Sequence, residues 1–261
     1  MHLSLVSLAA LATLAVAAPL EHGTSCSGTF PPNSGCSLAH IRPSLPKGQH
    51  EVRVPANSRT VAVTVGIGNV TFNCLGEDTY TATTRAALYD VGPRLARCHK
   101  PLRTLTRLVD DVYLTFSPAV SLSQNADDYL GFHSPISYTN TTPSSPCGNQ
   151  TPRTVLLPSF TLYHSSPACP ITDRYDQERH ATFVEVGSIA SPQSRGARRN
   201  MDWVRYDPIA GNSHATANTG LGTVLRTETR AGVIEKEARC RVNGQVEIVP
   251  FVAVFWFFLS R

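Results

Sequence analysis

Apolar positions recur along the chain in short alternating runs separated by Pro, Gly, Ser and Asn, and the densest run stands at the C-terminal end. Phe251-Val-Ala-Val-Phe-Trp-Phe-Phe258 carries no charge and follows Pro250. In an extended chain it would be apolar on both faces, with Val252, Val254, Trp256 and Phe258 on one and Phe251, Phe255 and Phe257 on the other. This predicts a core strand buried on both sides. Gln245-Val-Glu-Ile-Val-Pro250 leads into it. Gly220 to Arg230 reads as its partner, with Val224 or Leu225 facing the core and Arg226, Glu228 and Arg230 together on the opposite face. Val242-Asn-Gly-Gln245 supplies a tight-turn signal between the two.

Further strands are expected at Val52-Arg-Val54, Val61 to Ile67 and Val70 to Cys74, where branched residues alternate with small or polar ones. Tyr80 to Tyr89 admits a strand or a short helix. Arg103 to Leu108 reads as a short helical turn, and Val112-Tyr-Leu-Thr-Phe116 as a strand stopping at Ser117-Pro118. Ser134 to Pro152, with its prolines, serines and asparagines, reads as a solvated loop, and a second turn-rich block ends at Pro170. Ala181 to Ala190 predicts a strand that bends at Gly187. Met201 to Tyr206 predicts another, with Trp203 packed and Asp202 and Arg205 reaching solvent. No internal repeat recurs. The expectation is an all-β chain, a single β-sandwich or partly closed β-barrel with long disulfide-linked loops, occupying residues 50–261 behind a Pro/Gly/Ser-rich arm at 18–49.

The first 17 residues form an apolar leader ending in Ala15-Val-Ala17, which fits a signal peptide cut after Ala17 and implies a secreted, extracellular protein. The terminal run is too short for a transmembrane anchor, which needs about 20 apolar residues, and it has no lipid-anchor pattern. Seven cysteines, Cys26, Cys36, Cys74, Cys98, Cys147, Cys169 and Cys240, lie beyond the leader, where bridges are permitted. Their spacing resembles no structural zinc site. Local closures 26 to 36, 74 to 98 and 147 to 169 would leave Cys240 over, and spacing does not select this pairing from the others. Sequons at Asn69, Asn140 and Asn149 make a glycoprotein the expectation in that compartment.

The charge balance, 23 Lys and Arg against 19 Asp and Glu, gives +4 and no support for nucleic-acid binding. The short basic run Arg195-Gly-Ala-Arg-Arg199 lacks interleaved aromatics and reads as a charged loop. Gly66-Ile-Gly68 invites a dinucleotide reading, but Thr71 stands where the third glycine belongs and no helix is expected to follow. No cofactor or metal is implied. The candidates for catalysis are His133, as acid or base, with Asp127 and Asp128 as nearby carboxylates. Asp110-Asp111 is a further acidic pair. No nucleophile elbow, P-loop or metalloprotease helix is present.

The segments Val70-Thr-Phe-Asn-Cys74, Ala86-Ala-Leu-Tyr-Asp-Val91 leading to Cys98, Gly131-Phe-His-Ser-Pro135, Asp202-Trp203, Gly222 to Thr229 with Gly232 and Cys240, and Val249 to Phe258 together resemble the DUF3455 proteins. These are secreted fungal and bacterial proteins of unknown function, some labelled malate-dehydrogenase-like. The resemblance covers residues 50 to 258 and implies one β-rich domain, with Cys74, Cys98 and Cys240 similar to the family's cysteines and Cys240 bonded to Cys74 or Cys98. The dehydrogenase label gains nothing from this sequence, which lacks the nucleotide fingerprint.

The function expected is a secreted binding or structural protein of the extracellular space or cell wall. Its expected partner is a wall polysaccharide or a host-surface molecule, with Trp203 or Tyr206 as a sugar-stacking surface. The alternative is a secreted hydrolase using His133.

Overall fold

The C-terminal strand β8, Val246–Ser260, is hydrogen-bonded to neighbours on both sides. Along it Phe251, Ala253, Phe255 and Phe257 belong to one buried cluster, while Val252, Val254, Trp256 and Phe258 belong to another. One face looks into a barrel and the other lies beneath a covering layer. The structure, a computed structural model, describes residues 38–76, 79–96, 100–115, 129–140, 153–163, 179–192, 200–209, 221–233 and 242–260.

Eight antiparallel strands close the barrel in chain order. They are β1 (Ser58–Gly76), β2 (Thr79–Asp90), β3 (Tyr129–Asn140), β4 (Arg153–Leu162), β5 (Arg179–Ile189), β6 (Trp203–Pro208), β7 (Val224–Ala231) and β8. The β1–β8 pairing, running from Ser58↔Ser260 to Asn73↔Val246, makes the closure. The closed ring of pairings corrects the expectation of a sandwich or partly closed barrel, while β2–β3 and β4–β5 pair only towards the lower end, at Ala86↔His133 to Tyr89↔Tyr129 and Ser159↔Thr182 to Leu162↔Arg179. The up-and-down order puts the β1–β2, β3–β4, β5–β6 and β7–β8 connections at one end of the barrel, called upper below.

Between β2 and β3 lie α1 (Gly92–Ala96) and α2 (Pro101–Thr115). Asp90 Oδ1 accepts from the Gly92 amide at 2.8 Å at the start of α1, and Pro101 opens α2, where its missing amide costs no helical bond. Leu102, Leu105, Val109 and Val112 recur at helical spacing, and the helix they define takes in residues 112–115 of the segment expected as a strand. The helix period prevails over the β-branched composition because one stripe can cover the outer faces of β1, β7 and β8. Leu95, Leu105 and Val109 pack there against Val63, Val65, Leu225, Val254 and Trp256.

The end of the expected arm also belongs to this layer. Leu38 and Ile41 are buried, Arg42 donates to Thr60 Oγ1 at 2.8 Å and to the Ser58 carbonyl at 2.6 Å, and Val52 is wholly buried without joining the sheet. Val61–Ile67 and Val70–Cys74 merge into the single strand β1. Of the loop expected from Ser134 to Pro152, Ser134–Asn140 is instead the upper half of β3, paired to β4 with Pro135 opposite Pro158, and 141–152 lie outside the described residues. Gly66 and Gly68 serve packing: a Cβ on Gly66 would meet the Phe255 ring, and one on Gly68 would run into the Arg85 carbonyl.

Candidate functional site

An eight-stranded barrel is just wide enough to be filled by side chains or to hold one small ligand. Here the two solutions are stacked. The lower interior is an aromatic plug in which Phe160 meets Phe183, Phe255 and Phe257 edge to face at centroid distances of 5.3, 5.6 and 5.5 Å. Above it opens a chamber of about 750 Å³. That lies within the range of about 300–1,000 Å³ typical of small-molecule sites.

Alternation along the strands decides which side chains reach the chamber. Val70 and Phe72 come from β1, Thr84 from β2, His133 and Pro135 from β3, Val204 and Tyr206 from β6, and Arg226 from β7. The walls are mainly apolar. Tyr80 and Leu156, 47% and 54% exposed, also line it and mark its way to the surface. Tyr80 packs edge to face on Phe72 with centroids 5.2 Å apart.

His133 lies where the chamber meets the plug. Its ring stacks on Phe160 at 4.5 Å, Nδ1 lies 3.0 Å from the Ser159 carbonyl, and Nε2 lies 2.8 Å from Thr84 Oγ1. A carbonyl oxygen only accepts, so Nδ1 carries the proton and Nε2 accepts from the threonine hydroxyl. Burial lowers its pKa from 6.5 to about 4, the Ser159 hydrogen bond opposing and the Arg226 charge adding to the effect. The imidazole is therefore neutral near pH 7, with both nitrogens engaged. Asp127 and Asp128, its expected carboxylate partners, lie outside the described residues.

Tyr206 and Arg226 sit side by side on the opposite wall, the guanidinium carbon 5.8 Å from the ring centroid. Burial raises the Tyr206 pKa, partly offset by the Arg226 charge and reinforced by Glu185. Arg226 is 6% exposed. Its Nε and Nη2 reach only the Asp202 carbonyl, at 3.3 and 3.2 Å, and it forms no ion pair among the described residues. The sequence pattern placed Arg226 with Glu228 and Arg230 on the face away from the core, and the structure corrects this. Val224 and Arg226 both point inward, while a bulge between Thr227 and Arg230, with Glu228 at φ 48°, turns Arg230 to the outside. The signal available was the parity shared with Val224, which counted for less than the charge.

Trp203 is 2% exposed, so it presents no surface for stacking a sugar, and Tyr206 faces the barrel interior. Asn69 is exposed on β1; Asn140 ends β3, and Asn149 lies outside the described residues. So do all the cysteines except Cys74, which is disulfide-bonded. The leader, the Arg195 to Arg199 run and the expected closures 26 to 36 and 147 to 169 are likewise outside. The described His, Cys, Asp and Glu residues form no group of three able to hold a metal ion, and no described helix is long and apolar enough to cross a membrane. No family model, curated protein or solved structure matches the chain.

Proposed function

We propose that this is an exported binding protein that holds one small ligand in the upper chamber of its barrel. The observation carrying the reading is the chamber itself: about 750 Å³ of space above a tightly packed aromatic plug, apolar along its walls, with polar groups converging from β3, β6 and β7. Such walls suit a ligand with a hydrocarbon or aromatic body better than the wall polysaccharide or host-surface partner suggested by exposed aromatics. Binding is favoured over hydrolysis because both nitrogens of His133 are occupied by Thr84 and Ser159. Export rests on the leader, and sequencing of the extracellular product should begin at Ala18. The resemblance to DUF3455 proteins belongs to the same proposal and rests on the segments that carry it.

The test is titration of the secreted protein with the neutral fluorophore N-phenyl-1-naphthylamine. Saturable one-to-one binding is expected, weakened by Ala82→Trp, which places a large ring on the chamber lining. Absence of saturable binding, or binding indifferent to Ala82→Trp in a folded variant, would overturn the reading.

A further inference from the structure

Among the described residues lining the chamber, Arg226 is the one that solvent-excluded packing does not account for. A buried guanidinium ordinarily has a carboxylate partner, because removing its charge from water costs several kcal/mol unless that charge is compensated. Among the described residues it has a single backbone carbonyl at long distance and the face of Tyr206. A guanidinium also carries more N–H donors than this carbonyl can use. The two carboxylates among the chamber's described lining residues, Glu185 and Asp202, belong to exposed residues, and neither pairs with it. Solvent screens the rim carboxylates more strongly than it screens the buried cation. The positive field reaches the interior, where it opposes protonation of His133 and favours ionisation of Tyr206. His133 cannot supply a balancing charge, since an imidazole is either neutral or cationic.

We infer that the chamber is built for an amphipathic acid, an apolar body bearing a carboxylate whose headgroup is anchored by Arg226. The inference rests on the chamber being a ligand site and names the chemistry of the ligand. The bidentate fit of guanidinium to carboxylate supplies the missing counter-charge, and Val70, Phe72, Pro135, Pro158 and Val204 receive the hydrocarbon. The exposed Tyr80 and Leu156 at the opening extend the apolar path to the surface.

The experiment is displacement of bound N-phenyl-1-naphthylamine by dodecanoate and by dodecan-1-ol, which share a chain and differ in headgroup charge. Dodecanoate should displace the fluorophore from the wild-type protein about tenfold to a hundredfold more effectively than the alcohol, the scale expected of a charge-assisted contact. Arg226→Gln should retain the fluorophore and the alcohol while losing that preference. Arg226→Lys should retain part of it, and gives a charged comparison if the glutamine variant does not fold. Equal displacement by acid and alcohol from wild type, or a preference for the acid that survives in folded Arg226→Gln, would overturn the anchor while leaving the chamber a binding site. Failure of the fluorophore, the acid and the alcohol all to bind wild type would instead remove the binding function itself, and the anchor with it.

Discussion

Arg230 and Asp110 meet with Nη2 and Oδ1 2.7 Å apart, joining β7 to the helix that covers its outer face across 120 residues of sequence. The contact looks like a clasp holding α2 on the barrel, yet Asp110 is 48% exposed. Arg230 is only 13% exposed, but water reaches the Asp110 carboxylate and screens the pair, so it contributes about 1 kcal/mol, less at high salt. Asp110→Asn should therefore shift urea denaturation only slightly, with a smaller shift at high salt. A loss of several kcal/mol would mean that the ion pair, rather than the apolar stripe of Leu105 and Val109, attaches the helix.

The glycines of β1 carry a larger prediction. Gly68 faces the Arg85 carbonyl of the neighbouring strand, and a Cβ there meets backbone that has no rotamer to yield. Gly66 faces the Phe255 ring, a side chain in the plug. Gly66→Ala should cost about 1–3 kcal/mol in equilibrium unfolding, as overpacking does, whereas Gly68→Ala should cost more and broaden or abolish the transition. Equal and small effects at both positions would show that β1 and β2 are further apart than the register requires.

These same glycines mark how far the fold could be read from the sequence. The Phe251–Phe258 run declared its two apolar faces because no charge or turn residue interrupts it, and the structure buries both. β4 was hidden because Pro158 and Ser159 imitate a loop, and so do Ser134 and Pro135 across from them. Pairing Pro135 with Pro158 puts both missing amides at one level of the ladder, a property of register that neither segment reveals alone. Local composition likewise misassigned Val112 to Thr115, the last turn of α2, where Val112 ends the helix's apolar stripe. At the site, His133 was visible as a lone histidine beside an aromatic. Arg226 was not, since a charge on a strand reads as solvent-facing until closure of the barrel and the bulge after Thr227 fix its direction.

His133 makes stability depend on pH. Its folded pKa is about 4 against 6.5 for the unfolded side chain, so between those values the unfolded chain binds more protons. This contribution is fully present above about pH 6.5 and is lost as pH falls toward 4. Its size is about 3 kcal/mol at 1.36 kcal/mol for each pH unit. Denaturation curves at pH 7 and pH 4.5 should show wild type losing more stability than His133→Gln, which cannot take up the proton. The same loss in both proteins would assign the acid sensitivity to carboxylates elsewhere.

The resemblance to DUF3455 proteins implies a bridge among Cys74, Cys98 and Cys240, and between those two partners for Cys74 chain reach favours Cys240. Cys74 is disulfide-bonded at the upper end of β1, its amide donates to the Gln245 carbonyl at 2.9 Å and its carbonyl accepts from the Gly244 amide at 2.9 Å. Cys240 is five residues before Gln245, within about 17 Å of chain, so it can return to the roughly 6 Å between Cα atoms that a disulfide needs. Cys98 follows α1, which begins after Asp90, and Asp90 pairs with Thr64, ten residues down β1 from Cys74 or about 33 Å away. The short helix and two further residues fall about 10 Å short of spanning that gap. A non-reducing proteolytic digest should contain a peptide pair joining Cys74 to Cys240 that separates on reduction, and Cys240→Ser should cost about 2–4 kcal/mol in stability. Recovery of Cys74 linked to Cys98 would require α1 to leave the lower end of the barrel, and would contradict the β1–β2 register from which the pairing is deduced.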